Sequence, residues 1–296
     1  MDERWRSASR MPGLRRSLLV LILAANAVTT GSPVLGAKPT AGAGGTETND
    51  PGILRLTPEQ RAALPAKLAT LENVALGARR ASGLITATTI GDPPASATLA
   101  TYARHQRRWF YCGPATVQVI SNESWQIYSS DTSGQNTATN KYTQTFISAT
   151  WTKTDINLQT NLGDLIAGMN GATRRPSNWA YVQLHNPSWS TFHNAIISDV
   201  WAYGMALAAH VNPRKSNSQQ YLASWANVSP GDYGHYIPLR GYAGFSSSSA
   251  LVFYNDSSGG RDEVTGVGIL GATGAFSDAS TTVYQTMMNR YGNLVW

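Results

Sequence analysis

One cysteine among 296 residues excludes an intramolecular disulfide and any C-x-x-C metal or redox motif, so packing alone must hold the fold. Charge is scarce too. Charged residues make up 14% of the chain, and of the formal +6 about half (five arginines minus Asp2 and Glu3) lies in residues 1–37. The remainder has no basic stripe, which excludes a nucleic-acid partner. H-E-x-x-H, EF-hand and P-loop patterns are missing, so no metal or other cofactor is expected. No apolar run reaches the roughly 20 residues that a membrane span needs. What is present is 42% hydrophobic content, enough for a real core. Nine tryptophans go with it, most of them read as core and one or two as the floor of a substrate groove. There is no internal repeat.

The first 37 residues read as a signal peptide: a basic region ending at Arg15 and Arg16, an apolar run from Leu18 to Val28, then small residues to Ala37. Leu14 to Leu19 loosely resembles a twin-arginine signal. The expectation is a secreted bacterial protein with no stable membrane insertion after leader removal, a retained N-terminal anchor being the alternative. Residues 38–97 follow as a flexible linker over Lys38 to Pro51 and a possible helical pro-segment. Thr57-Pro58-Glu59-Gln60 has the form of a capping box with proline at the first helical position. Leu64, Leu68, Leu71 and Ala75 recur at helical spacing, interrupted by Pro65, so one or two short helices are expected. They would either cover an active site or form a surface helix or stalk.

Residues 98–296 read as the main domain. Leu158, Leu162, Leu165, Ile166 and Met169 share one helical face over Asp155 to Met169, with Thr154 or Asp155 as cap. Phe192, Ile196, Val200 and Tyr203 repeat that logic over Thr191 to Tyr203, with Gly204 as the stop. Met205 to Val211, Gly234 to Tyr242, Ala250 to Tyr254 and Val267 to Leu270 read as strands joined by turns. A last helix is expected over Thr282 to Tyr291, with Gly292 ending it. Helices first and strands later make an α+β fold with an antiparallel sheet.

Within this domain R-H-Q-R-R-W-F-Y-C-G-P-A, Arg104 to Ala115, holds the single thiol. Pro114 suits the first turn of a helix. That would set Cys112 at the positive end of the helix dipole, where a thiolate is favoured. Val117, Val119 and Ile120 would suit a strand equally well. A thiol nucleophile needs a base, and the base needs a third group to orient it. Of five histidines, His105, His185, His193 and His210 read as surface or satisfied core residues, with His185 and His193 flanking a loop at Trp189. His235 starts a strand and follows a glycine that leaves room for a substrate backbone. Asp256 ends the next strand, with Asn255 as the alternative, since alternation lets only one of the two face His235.

The spacing of Gln106, six residues before Cys112, with the later G-H-Y and N-D, resembles the papain-like cysteine peptidases, and Y-C-G-P-A is similar to their C39-like group. The resemblance covers about residues 98 to 296. It implies a helix after Cys112, His235 as base, Asp256 as its partner and the Gln106 side chain as oxyanion donor beside the Cys112 N–H. The function it implies is a secreted cysteine hydrolase, a peptidase with a peptide or protein substrate. Cell-wall amide hydrolysis of peptidoglycan, acyl transfer on the same triad, and an inert binding protein on this scaffold are the alternatives.

Overall fold

The computed structural model describes residues 52–81, 92–127, 140–157, 159–244 and 249–296; the leader, the linker to Pro51 and Leu158 lie outside the described residues. In chain order the elements are α1 (Pro58–Ala81), β1 (Ser96–Thr98), α2 (Cys112–Ser124), the short α3 (Gln144–Ile147) running into a π-helical turn (Ser148–Thr152), and α4 (Leu162–Ala172). Then come β2 (Gln183–His185), α5 (Trp189–Ile197) with a second π-helical turn (Ser198–Tyr203), β3 (Leu207–Val211), a 3-10 turn (Ala223–Trp225), β4 (His235–Ala243), β5 (Leu251–Asp256), β6 (Gly274–Ala279), α6 (Ser280–Met288) and β7 (Asn293–Val295).

α1 starts as its capping box dictates. Gln60 N–H donates to Thr57 Oγ1 at 3.2 Å and Thr57 N–H to Gln60 Oε1 at 2.8 Å. Pro65 does not divide it, contrary to the expectation of one or two short helices: this is one helix of 24 residues. The proline sits on the exposed face, where the carbonyl freed by its missing N–H can turn to water. The opposite face carries Ala63, Lys67, Leu71 and Val74, all buried, and Leu71 and Val74 share a core with Phe192, Ile196 and Val200. α1 and β1 are thus built into the body that was expected to begin at residue 98.

Among the described residues seven strands form one sheet in the order β2-β7-β3-β4-β5-β6, with β1 also paired to β4, and every named pairing is antiparallel. Strand alternation divides the core. Leu207, Ala209, Val211, Ile237 and Leu239 pack with residues of α1, α5 and α6. Ala208 and Tyr236 pack with Val117 and Ile120 of α2 and Leu162, Leu165, Ile166 and Met169 of α4. Helices therefore cover both faces of an antiparallel sheet, an α+β architecture.

Several boundaries differ from the sequence reading. The helix expected from Asp155 begins at Leu162, because Asn161 supplies the cap: its Oδ1 accepts from Asp164 N–H at 2.9 Å. Trp189 and His193 lie within α5, capped by Ser188, not beside a loop. Gly204 ends the π-helical extension in the left-handed region at φ 63°, as its position predicted. Val267 to Leu270 is not a strand. Gly266 at φ 69° and Gly271 at φ 84° break the run, Val267 is half exposed, and the sheet is continued instead by Gly274–Ala279. The last helix covers Ser280–Met288, stopping short of Tyr291.

Candidate active site

Three segments meet where β4 begins. α2 opens at Cys112 without a side-chain cap, so no side chain competes for the N–H groups of its first turn, and Pro114 has none to satisfy. One turn further on, Thr116 Oγ1 donates to the carbonyl of Tyr236 at 3.0 Å. That bond pins α2 to β4 beside His235. Gly113 is required on packing grounds: a Cβ there would fall 2.2 Å from Thr160 Oγ1, so any side chain would push the Thr160 loop away from the helix start.

His235 is buried at 4% exposure, and its Nε2 lies 2.8 Å from Asp256 Oδ1. The register explains the meeting. Leu239 pairs with Tyr254, so counting four residues outward on each chain sets Ser258 across from His235, with Asp256 on the same face and Asn255 on the other. Asn255 accordingly donates from Nδ2 to Thr101 Oγ1 at 2.8 Å. With Nε2 turned to Asp256, Nδ1 is the ring nitrogen left for the Cys112 thiol, whose nearby charge helps keep the imidazole protonated.

Electrostatics at this pair are set by donors. Burial alone would pull the His235 imidazole down, but the Asp256 charge and hydrogen bond, joined by Cys112, push it up to about 10. Burial would raise the Asp256 carboxyl. His235, the Ser224 hydroxyl and the Ser258 N–H outweigh it and hold that carboxyl below its ordinary value. Four donors converge on the two oxygens: His235 and Ser258 N–H on Oδ1, each at 2.8 Å, and Ser224 Oγ at 2.7 Å and Trp225 Nε1 at 3.1 Å on Oδ2. The Trp225 ring also lies 5.5 Å from the imidazole, and Ser258 Oγ approaches Nε2 at 3.0 Å.

Gln106 is buried in the turn before Cys112, and its Nε2 donates to the Trp109 carbonyl at 3.0 Å. That bond fixes which end of the amide is nitrogen. The second N–H of the same nitrogen remains for another acceptor. The other four histidines are engaged elsewhere. His105 meets the Arg261 carbonyl, His185 meets Asn293, and His193 lies between Ser280 and Gly244. His210 is buried between the rings of Tyr236 and Tyr291.

Sequence reasoning missed Ser224, Trp225 and Ser258. Ser258 had a local signal, since Asp-Ser-Ser at a strand end favours a side chain bonding to the backbone two residues on. The Ser224–Trp225 turn had none, lying 31 residues (256 minus 225) from the carboxylate that it meets. Among the described residues no cluster of His, Cys, Asp and Glu has a metal-binding arrangement.

Fold and site together define an α+β protein bearing a buried His–Asp pair against a thiol at a helix start. No family model matches the chain, and no curated protein does. A solved structure described as recombinant stem bromelain precursor superposes with a TM-score of 0.37 and 9% sequence identity, over 82% of this chain and 93% of that one.

Proposed function

We propose that this protein is a cysteine hydrolase of papain-like type that cleaves amide bonds through Cys112, His235 and Asp256, with Gln106 and the Cys112 N–H as oxyanion donors. The observation that carries the reading is the His235–Asp256 pair at 2.8 Å beside the thiol. A carboxylate bound by four donors keeps the neighbouring imidazole protonated, and an imidazolium beside sulfur favours the thiolate.

The chemistry follows from those protonation states. The Cys112 thiolate attacks the substrate carbonyl carbon and the C=O electron pair moves onto oxygen, where the Gln106 amide and the Cys112 N–H can receive it. As the C–N bond breaks, the imidazolium gives its proton to the departing amine, leaving a thioester and a neutral imidazole. That imidazole then takes a proton from water. The resulting hydroxide attacks the thioester, and sulfur leaves as thiolate beside the restored imidazolium. Asp256 stays ionised throughout and holds the ring orientation.

The substrate we propose is a peptide or protein amide, with peptidoglycan the alternative amide source, acting outside the cell after removal of residues 1–37. Wild type and Cys112→Ala, each incubated with a peptide library and with purified peptidoglycan, test this directly. Cleavage products from the wild type alone are expected. Equal products from both proteins would remove Cys112 from the chemistry, and none from either alongside a slow-alkylating thiol would leave an inert scaffold. Intact-mass analysis of the exported species is expected to find a mature start near Ala37 or later; retention of Met1 would mean an anchor.

A further inference from the structure

The loop preceding the thiol and the loop following the acid are joined to each other. Gln106 N–H donates to the Ser257 carbonyl and Glu263 N–H to the Arg107 carbonyl, both at 2.9 Å. Between these two backbone bonds sits Asp262, whose carboxylate is buried. Its Oδ2 accepts from Trp109 N–H at 2.9 Å and from Arg108 Nε at 3.2 Å, while its Oδ1 accepts from the N–H groups of Val264 and Thr265, each at 2.9 Å. One oxygen therefore closes its own turn and the other reaches across to the nucleophile loop. On the opposite side the Gln144 amide accepts from Arg107 N–H at 2.9 Å and donates to the His105 carbonyl at 2.7 Å.

Trp109 connects the carboxylate to the chemistry. Its N–H is held by Asp262, and its carbonyl accepts the Gln106 amide nitrogen. We infer that Asp262 is a positioning residue for the oxyanion donor: by anchoring the Arg108–Trp109 peptide through its N–H it restrains the Trp109 backbone, whose carbonyl, on the next peptide, aims the Gln106 nitrogen. The inference rests on the hydrolase reading above. Burial would raise the Asp262 carboxyl, yet the N–H groups of Thr265, Trp109 and Val264 with Arg108 hold it at about 2, so the acceptor is ionised wherever the His–Asp pair works. An asparagine could keep Oδ1 for its own turn but would set an NH2 group against the Trp109 N–H and Arg108. Asp262→Asn thus removes the carboxylate's own contacts with Trp109 and Arg108, leaves the two backbone bonds between the loops, and spares the turn.

The test separates two reactions of the same sulfur. Alkylation by iodoacetamide displaces iodide and develops no oxyanion, so it reads the thiolate alone. Acylation by p-nitrophenyl acetate passes through a tetrahedral oxyanion before the C–O bond breaks and nitrophenolate leaves, so it reads thiolate and oxyanion donors together. In Asp262→Asn, acylation is expected to fall about 10- to 100-fold while alkylation changes less than about twofold. Placed in a Gln106→Ala background, Asp262→Asn should lower acylation little further, because both changes remove the same interaction. Equal losses in both reactions, no loss in either, or losses that multiply in the double variant would overturn the inference. A wild-type protein that alkylates fast but never acylates would remove the hydrolase reading itself, and this one with it.

Discussion

Two of the carboxylates buried against a cation, Asp256 and Asp199, behave oppositely. Asp256 faces His235 with four donors on its oxygens, sits below its ordinary pKa and drives its partner up to about 10. Asp199 faces Lys67 Nζ at 3.0 Å, both side chains at 0% exposure. Burial raises Asp199 to about 6 and lowers Lys67 to about 8 despite their mutual attraction. Depth is the same, so depth does not decide ionisation. The hydrogen bonds around the carboxylate do, because each preset donor replaces solvation lost on burial. The lysine has rings instead: Trp179 at 3.6 Å and Trp296 at 4.8 Å from Nζ, which hold a cation without fixing a geometry for chemistry. One pair is arranged for a charge to persist at a reaction centre; the other fastens α1 to the π-helical end of α5.

Breaking the first pair should give the largest effects. Cys112→Ala removes the nucleophile and is expected to lower turnover about 10⁴-fold or more, with little change in thermal midpoint because a small residue fits the half-buried helix start. His235→Ala should slow iodoacetamide alkylation at pH 6 by about 10²-fold, since no imidazolium then supports the thiolate. Asp256→Asn should slow it about tenfold, as an amide can orient the ring but adds no charge. Alkylation rates at pH 6 that ignore both His235→Ala and Asp256→Asn would dissolve the contrast between the pairs.

The second pair should register in stability. Lys67→Met leaves Asp199 buried and unpaired, a loss of about 3–5 kcal/mol in denaturant unfolding, whereas Lys67→Met with Asp199→Leu should restore wild-type stability or exceed it. Its pH dependence has a definite sign. Asp199 is raised from 3.8 to about 6, so across that interval the folded state holds the extra proton and stability falls as pH rises. Lys67 is lowered from 10.5 to about 8, so above about 8 the unfolded state holds the extra proton and stability recovers. The double variant should therefore gain most over wild type between about pH 6 and 8. His235, raised from 6.5 to about 10, stabilises the fold instead: its contribution is complete below 6.5 and is lost as pH climbs through about 10. Asp256, being lowered, contributes above 3.8 and loses that contribution in acid.

How much of this was legible follows from which signals are local. The capping box at Thr57, the stop at Gly204 and the strand bearing His235 are short-range patterns, and they hold. Three-residue strands such as β1, β2 and β7 are too short to show alternation. Lys67 sits at a helical position where a charged residue reads as solvated, and only its partner 132 residues away (199 minus 67) and two tryptophans bury it. The Ser224–Trp225 donors and the Asp262 bridge are equally invisible, because a loop's sequence does not state which backbone it will meet. The candidate residues themselves could be named beforehand. What fixes their charge could not.

The smallest expected effect tests the register on which the site depends. Asn255 lies on the face away from His235, with its Nδ2 on Thr101 Oγ1 at 2.8 Å. Asn255→Ala should cost about 1 kcal/mol of stability through that lost bond and leave alkylation at pH 6 unchanged. A one-residue slip of β5 against β4 would exchange the faces, setting Asn255 against the imidazole and turning Asp256 to Thr101. Slow alkylation in Asn255→Ala beside a silent Asp256→Asn would then be the result. The slipped arrangement would also remove the carboxylate from Ser224 and Trp225, so Ser224→Ala distinguishes the two registers independently. In the observed register it takes one of four donors from Asp256, and a modest slowing at pH 6 is expected; in the slipped one it would do nothing.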